Sequence, residues 1–196
     1  FNIPEEKSEI EIRHFFDELG KENRQLICFA GAGVYDKYTP AVIPSLVSRS
    51  EFLTSYTPYQ AEVSQGTLHY IFEFQTMMAE LTGMPVSNAS MYDGATATAE
   101  AMLMAAAASR KANTILVSET IDPKIMGVLQ TYAHFCHIEL KTISSYDGIT
   151  DKDHLRTQIA ENSVAGVIVQ QPNYWGILED YTGFADVCHD AGAIFI

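Results

Sequence analysis

The sequence predicts an α/β fold built on a mostly parallel β-sheet with helices on both faces. Three observations carry this. Strand-like apolar runs recur at TILVS (114–118), HIELKTI (137–143), VAGVIVQ (164–170) and AIFI (193–196). Helix-like segments separate them at 122–135, 151–161 and 180–191, and strands alternating with helices produce parallel sheets. The runs at 164–169 and 191–196 are apolar throughout, as in strands buried on both faces.

Each element has a local reason. Residues 4–23 read as a helix. Pro4 suits the first turn, Glu5 and Glu6 favour its positive end, and Ile12, Phe15, Phe16 and Leu19 share a face before Gly20. Residues 24–65 are dense in Pro, Ser, Thr and Tyr, with Pro40, Pro44 and Pro58. They read as short strands, short helices and ordered loops, because aromatics are too frequent for disorder. Residues 67–82 form an amphipathic helix on Leu68, Ile71, Met78 and Leu81, closed by Gly83 and Pro85. An Ala-rich helix follows at 94–112, its small side chains suited to close packing. Asp122 then Pro123 is an N-cap followed by Pro at the first helical position. SSYDG (144–148) reads as a turn. Two divisions are expected: an N-terminal helix and ordered loop segment at 1–65, and the first part of a large α/β domain at 66–196. Repeats and low-complexity tracts are not evident. The apolar AGAIFI, with no cap or polar tail, reads as the inside of a core, so the chain reads as a fragment.

Composition narrows the function. With 12 Lys plus Arg against 25 Asp plus Glu, the net charge is −13, and without a basic stripe the chain is no nucleic-acid binder. No run reaches the roughly 18 apolar residues of a membrane span. The acidic start lacks an apolar signal core, and its first residue, Phe1, reads as a processed or trimmed start. Cys28, Cys136 and Cys188 are odd in number, widely spaced and free of CxxC, which reads as reduced thiols in a cytoplasmic protein.

Several candidate motifs dissolve on inspection. FAGAGVYD (29–36) has Gly31 and Gly33, but Asp36 stands at the third-glycine position and Pro40 and Pro44 interrupt any following helix, against a dinucleotide site. His134-x-Cys136-His137 straddles a helix end and a strand start without a second ligand cluster, so no metal is expected. Cys188 and His189 are neighbours on a helix, about 100° apart, and cannot pair.

Three segments are stronger. SMYDGATATAEA (90–101) sets Ser, Asp, Gly and Thr before an Ala-rich helix, whose free N–H groups could seat a phosphate. The same residues also read as a plain capped helix, with Asp93 as N-cap and Thr96 in the first turn. The loop SYTPYQAEVSQGT (55–67) could line a pocket, since Tyr joins an apolar body to a polar tip, or could strap an interface. QQPNYWG (170–176) follows a buried strand, at the edge where open α/β sheets bind ligands.

FAGAGVYDKYTPAVIP, FLTSYTPYQAEVSQGTLHYIFEFQTMMAELTGM and SNASMYDGATATAEAMLMA together resemble subunit 1 of the glycine decarboxylase P-protein family of the glycine cleavage system. The resemblance runs from about Leu26 to Ile196. It implies a fold type I, aspartate aminotransferase-like PLP-dependent transferase architecture, here a partial large domain. It implies glycine decarboxylation on pyridoxal 5'-phosphate, with transfer of the aminomethyl group to the lipoyl arm of the H-protein. It implies a partner, subunit 2, that carries the Schiff-base lysine, so that no catalytic residue is expected on this chain and the fragment alone is expected to be inactive. By the same resemblance, Asp93, Gly94, Ala95 and Thr96 take the phosphate-cradle position, as a vestige of gene duplication. Asn173 matches the asparagine that faces the cofactor ring oxygen, and the carboxylate that pairs with the pyridine nitrogen would fall just after Ile196. Tyr56, Tyr59, Gln60, Glu62, Ser64 and Gln65 would wall the partner's site, or pack subunit on subunit. Two rival readings remain: a non-catalytic structural and allosteric platform, and another fold type I enzyme such as a cysteine desulfurase or decarboxylase.

Overall fold

A computed structural model describes residues 3–24, 26–27, 37–53, 60–109 and 111–196, with the backbone alone for 61–64. The chain divides into two compact units, residues 1–35 and residues 36–196.

In the first unit, helix α1 spans Glu9–Lys21 and not the expected 4–23. Its start is set by Ser8, whose hydroxyl accepts from the Glu11 N–H while the Glu11 carboxylate accepts from the Ser8 N–H at 2.8 Å. This reciprocal capping box satisfies two otherwise orphaned donors, which Pro4 could not do. Ile10, Ile12, Phe15, Phe16 and Leu19 are exposed.

In the second unit, α2 (Val42–Val47) and α3 (Ser50–Leu53) are short helices. No strand occurs among the described residues of 24–65, where short strands were expected. Helix α4 (Ala61–Thr82) begins six residues before the expected 67, running through Gly66, and ends on Gly83 at φ 71°, as expected. Helix α5 (Gly94–Ala108) stops short of 112, since Ser109 turns extended.

Four strands then form one parallel sheet: β1 (Thr114–Ser118), β2 (Glu139–Ile143), β5 (Val164–Ile168) and β6 (Ile194–Phe195), in the order β2-β1-β5-β6. The expected SSYDG turn is the tip of a small antiparallel hairpin, β3 (Ser145–Tyr146) and β4 (Ile149–Thr150). Helices α6 (Pro123–Cys136), α7 (Lys152–Glu161) and α8 (Phe184–Asp190) complete the alternation. His137 is not in β2; it closes α6 in the left-handed region at φ 56°. Helix α8 starts at Phe184 and not 180, after Gly183 at φ 74°.

Both faces of the sheet are covered. Ile115 and Val117 point into one cluster with Ala99, Met102 and Ala105 of α5 and Leu129 and Ala133 of α6. Leu116 points the other way, with Leu155 of α7 and Phe184 and Cys188 of α8. That is the two-residue alternation of a strand, read here in burial on both faces. Along β5 the alternation breaks, because the register with β1 slips between Thr114 and Ile115. Val164 and Val167 therefore serve one face, and Ala165 and Ile168 the other.

Candidate functional site

Chain order places the switch of the sheet between β1 and β5. From β1 the chain moves outward to β2, and from β5 it moves outward to β6 on the opposite side. In open α/β sheets the carboxyl ends of the strands at such a switch are where ligands sit. Here that edge holds a dense polar network. Ser118, Thr120, Thr150, Asn173 and Glu179 are all buried.

Glu179 is its hub. The carboxylate accepts the Thr120 hydroxyl at 2.8 Å, the Thr150 N–H at 2.7 Å and the Asn173 amide at 2.8 Å. The hydroxyls of Ser118 and Thr120 share a hydrogen bond at 2.9 Å, and those of Ser118 and Thr150 another at 2.7 Å. Burial pushes the Glu179 carboxyl up, but the Thr150 N–H, the Asn173 amide and the neighbouring hydroxyls outweigh it and hold the group below the usual carboxylate range. The buried charge is therefore fully solvated by protein donors, the condition under which burying one is tolerable. Sequence reading did not single out Glu179. Nothing in GILEDYTG marks one acid as buried and its neighbour as exposed.

Asn173 is 3% exposed, and its amide is saturated. Its Nδ2 donates to Gly148 O and to Glu179, and its Oδ1 accepts from the N–H groups of Trp175 and Ile177 at 3.0 and 3.1 Å. An amide offers two donors and two acceptor sites. None is left for a cofactor ring, so its expected orientation does not fit the geometry here.

Asp93 starts α5 as an N-cap, as its sequence position implies, with Thr96 completing a capping box. The Thr96 N–H donates to Asp93 Oδ1 at 2.7 Å and the Thr98 hydroxyl donates back to Gly94 O at 2.7 Å. The Thr96 N–H and hydroxyl hold the Asp93 carboxyl below its ordinary range, so it is an anion. A second anion would meet that charge and find the best donor already taken. A Cβ added at Gly94 would meet no protein atom within 4 Å. The stretch Asp93, Gly94, Ala95 and Thr96 is a helix cap that does not fit a phosphate.

Of the expected wall, Tyr56 and Tyr59 lie outside the described residues, as do the side chains of Glu62 and Ser64. Gln60 stands at the N-cap of α4 without a side-chain cap bond, and both Gln60 and Gln65 are exposed. Among the described residues no three His, Cys, Asp or Glu side chains gather as a metal site, and no helix is long and apolar enough to cross a membrane. An open groove of about 510 Å³ at the end of α4, lined by Gln75, Glu80, Met84 and Val86 among others, carries one carboxylate and no catalytic pair.

Comparison with known proteins gives a consistent picture. The family model for the glycine cleavage system P-protein matches residues 1–196. The chain is 47% identical over 197 aligned residues to the probable glycine dehydrogenase (decarboxylating) subunit 1 of Bacillus cereus strain ATCC 10987, and equally to those of Bacillus thuringiensis strain Al Hakam and Bacillus anthracis strain A0248. Each alignment covers 99% of this chain and 44% of the relative. A crystal structure of glycine decarboxylase (P-protein) of the glycine cleavage system, in inhibitor-bound form, superposes with a TM-score of 0.89 at 40% identity, covering 100% of this chain and 44% of that one. The chain thus spans less than half the length of the relatives it matches, and its sheet is the fold type I α/β architecture that the motifs imply.

Proposed function

The chain belongs to the glycine cleavage system P-protein family, and from that premise we propose that it is the first part of subunit 1 of a two-subunit glycine decarboxylase. In the assembled enzyme glycine loses its carboxyl group and the aminomethyl group passes to the lipoyl arm of the H-protein. The observation that carries this reading is identity at 47% along nearly the whole chain to proteins named as that subunit. Residues 66–196 then form the first part of the large domain, with 1–65 as the preceding helix and loop segment.

Pyridoxal 5'-phosphate belongs, in this reading, to subunit 2, which supplies the lysine that holds it. The capped, anionic start of α5 and the saturated Asn173 amide support that assignment. The contribution of this chain is to shape the site from across the interface, through Tyr56, Tyr59, Gln60, Glu62, Ser64 and Gln65. A cytoplasmic setting is supported by the free thiols of Cys136 and Cys188.

The test is reconstitution. Subunit 1 with Tyr59→Ala and Gln60→Ala is assembled with subunit 2, and glycine-dependent CO2 release is measured with lipoyl H-protein present. A fall in turnover of about 10²-fold with assembly intact supports direct shaping of the site, that being the cost of about 1 Å of misplacement. Dissociation without a change in residual specific activity favours the structural platform. CO2 release by subunit 1 alone would refute both.

A further inference from the structure

We propose that Glu179 is a positioning residue: its carboxylate ties the loop after β5 to the hairpin and to the end of β1, and so fixes the tip of half-buried Tyr174 and exposed Trp175 at the carboxyl edge of the sheet. The geometry is three-sided. Donors reach this one carboxylate from Thr120 beyond β1, from Thr150 in β4 and from Asn173 in the loop itself. The Thr120 hydroxyl also meets Thr150 Oγ1 at 3.3 Å, so this hydroxyl and the carboxylate together join the three segments.

The aim of the carboxylate is fixed from behind. Gln171 donates to the Glu179 carbonyl at 2.9 Å and accepts from the Glu179 N–H at 3.0 Å, closing the neck of the loop. Within the loop, Asn173 carries the tip. Its Nδ2 is held by Glu179, and its Oδ1 takes the N–H groups of Trp175 and Ile177. Tyr174 N–H donates to Thr120 O at 2.8 Å, so the tip and the carboxylate grip the same residue. The Ile177 side chain rests on Gly148, where an added Cβ would stand 3.1 Å from Ile177 Cδ1.

What this order presents is apolar and outward. Trp175 is 65% exposed and Leu178 74%, and the rings of Tyr174 and Trp175 stack edge to face at 5.0 Å. An exposed aromatic on an unsupported loop would sample many positions, and here the neck, the hub and the edge-to-face pair hold it in place. Glu179 itself lies outside both apolar clusters, so its replacement acts on the loop without emptying the core.

The test compares wild type, Glu179→Gln and Glu179→Ala in the full chain by peptide-resolved hydrogen exchange. Glutamine keeps the shape but turns an NH2 toward at least one of the three donors, so it breaks the hub without a cavity. Exchange should rise on the order of tenfold in segments 148–151 and 173–179, with 114–118 and 164–168 unchanged, as local opening requires. Trp175 is the one tryptophan of the sequence, and subtracting a Trp175→Phe background gives its signal; acrylamide quenching of it should change in both variants. Unchanged loop exchange, unchanged quenching, or a rise spread equally over β1 and β5 would each overturn the proposal. Where the alanine variant does not fold, the glutamine variant decides.

Discussion

A tight glycine contact in the core gives a sharp test of how α5 seats on the sheet. A Cβ built on Gly166 in β5 would stand 2.9 Å from Ala105 Cβ and 3.2 Å from Ile115 Cδ1. Ordinary carbon contacts lie at about 3.5–4.0 Å. The Ile115 methyl can swing aside, but the Ala105 Cβ is fixed to the helix backbone, so α5 as a whole must move. Gly166→Ala should therefore cost about 1–3 kcal/mol by overpacking, less about 0.4–1 kcal/mol from the stiffer unfolded chain. Ala105→Gly alone should cost about 1 kcal/mol in helix propensity. Together they should cost less than their sum, with a coupling of at least about 1 kcal/mol, because the new methyl fills the space the old one left. Equilibrium urea unfolding of the four species measures this, read where the slopes agree. Strict additivity, or a Gly166→Ala protein as stable as wild type, would refute the packing argument.

Two further outcomes follow from the same core. Burial, with the nearby Glu179 charge adding to it, pushes the Tyr181 phenol up to about 12. The folded state thus keeps a proton that the unfolded state gives up near pH 10, so stability is full below that and falls as pH rises toward about 12; Tyr181→Phe should flatten this loss in pH-dependent unfolding. Burial likewise pushes the Cys188 thiol up to about 11, while Cys136 is exposed. Site-resolved iodoacetamide labelling of the native protein near neutral pH should modify Cys136 and spare Cys188 until urea unfolds the chain, and early labelling of Cys188 would contradict its burial.

Much of the fold was legible because its signals are local. TILVS is β1 residue for residue, since five consecutive buried positions leave no polar face to misread. Asp122–Pro123 and Asp93 mark the starts of α6 and α5 by side chains that accept the first free N–H groups. The misplaced ends have equally local causes. Ser8 and Glu11 form a capping box that Pro4 and its acidic neighbours masked, and His137 entered the left-handed region where a strand was expected.

What the sequence determined by itself was the alternation of strands and helices from Thr114 onward, because spacing and caps act within a few residues. The family followed from long motifs of the same kind. Only the tertiary structure decided which polar groups meet. Thr120, Thr150, Asn173 and Glu179 span 59 residues between the first and the last, and they come together because β1 and β5 are neighbours in the sheet while their loops leave from the same edge. A buried carboxylate is identified by the donors around it, and those donors are set by the strand order, which no short stretch of sequence encodes.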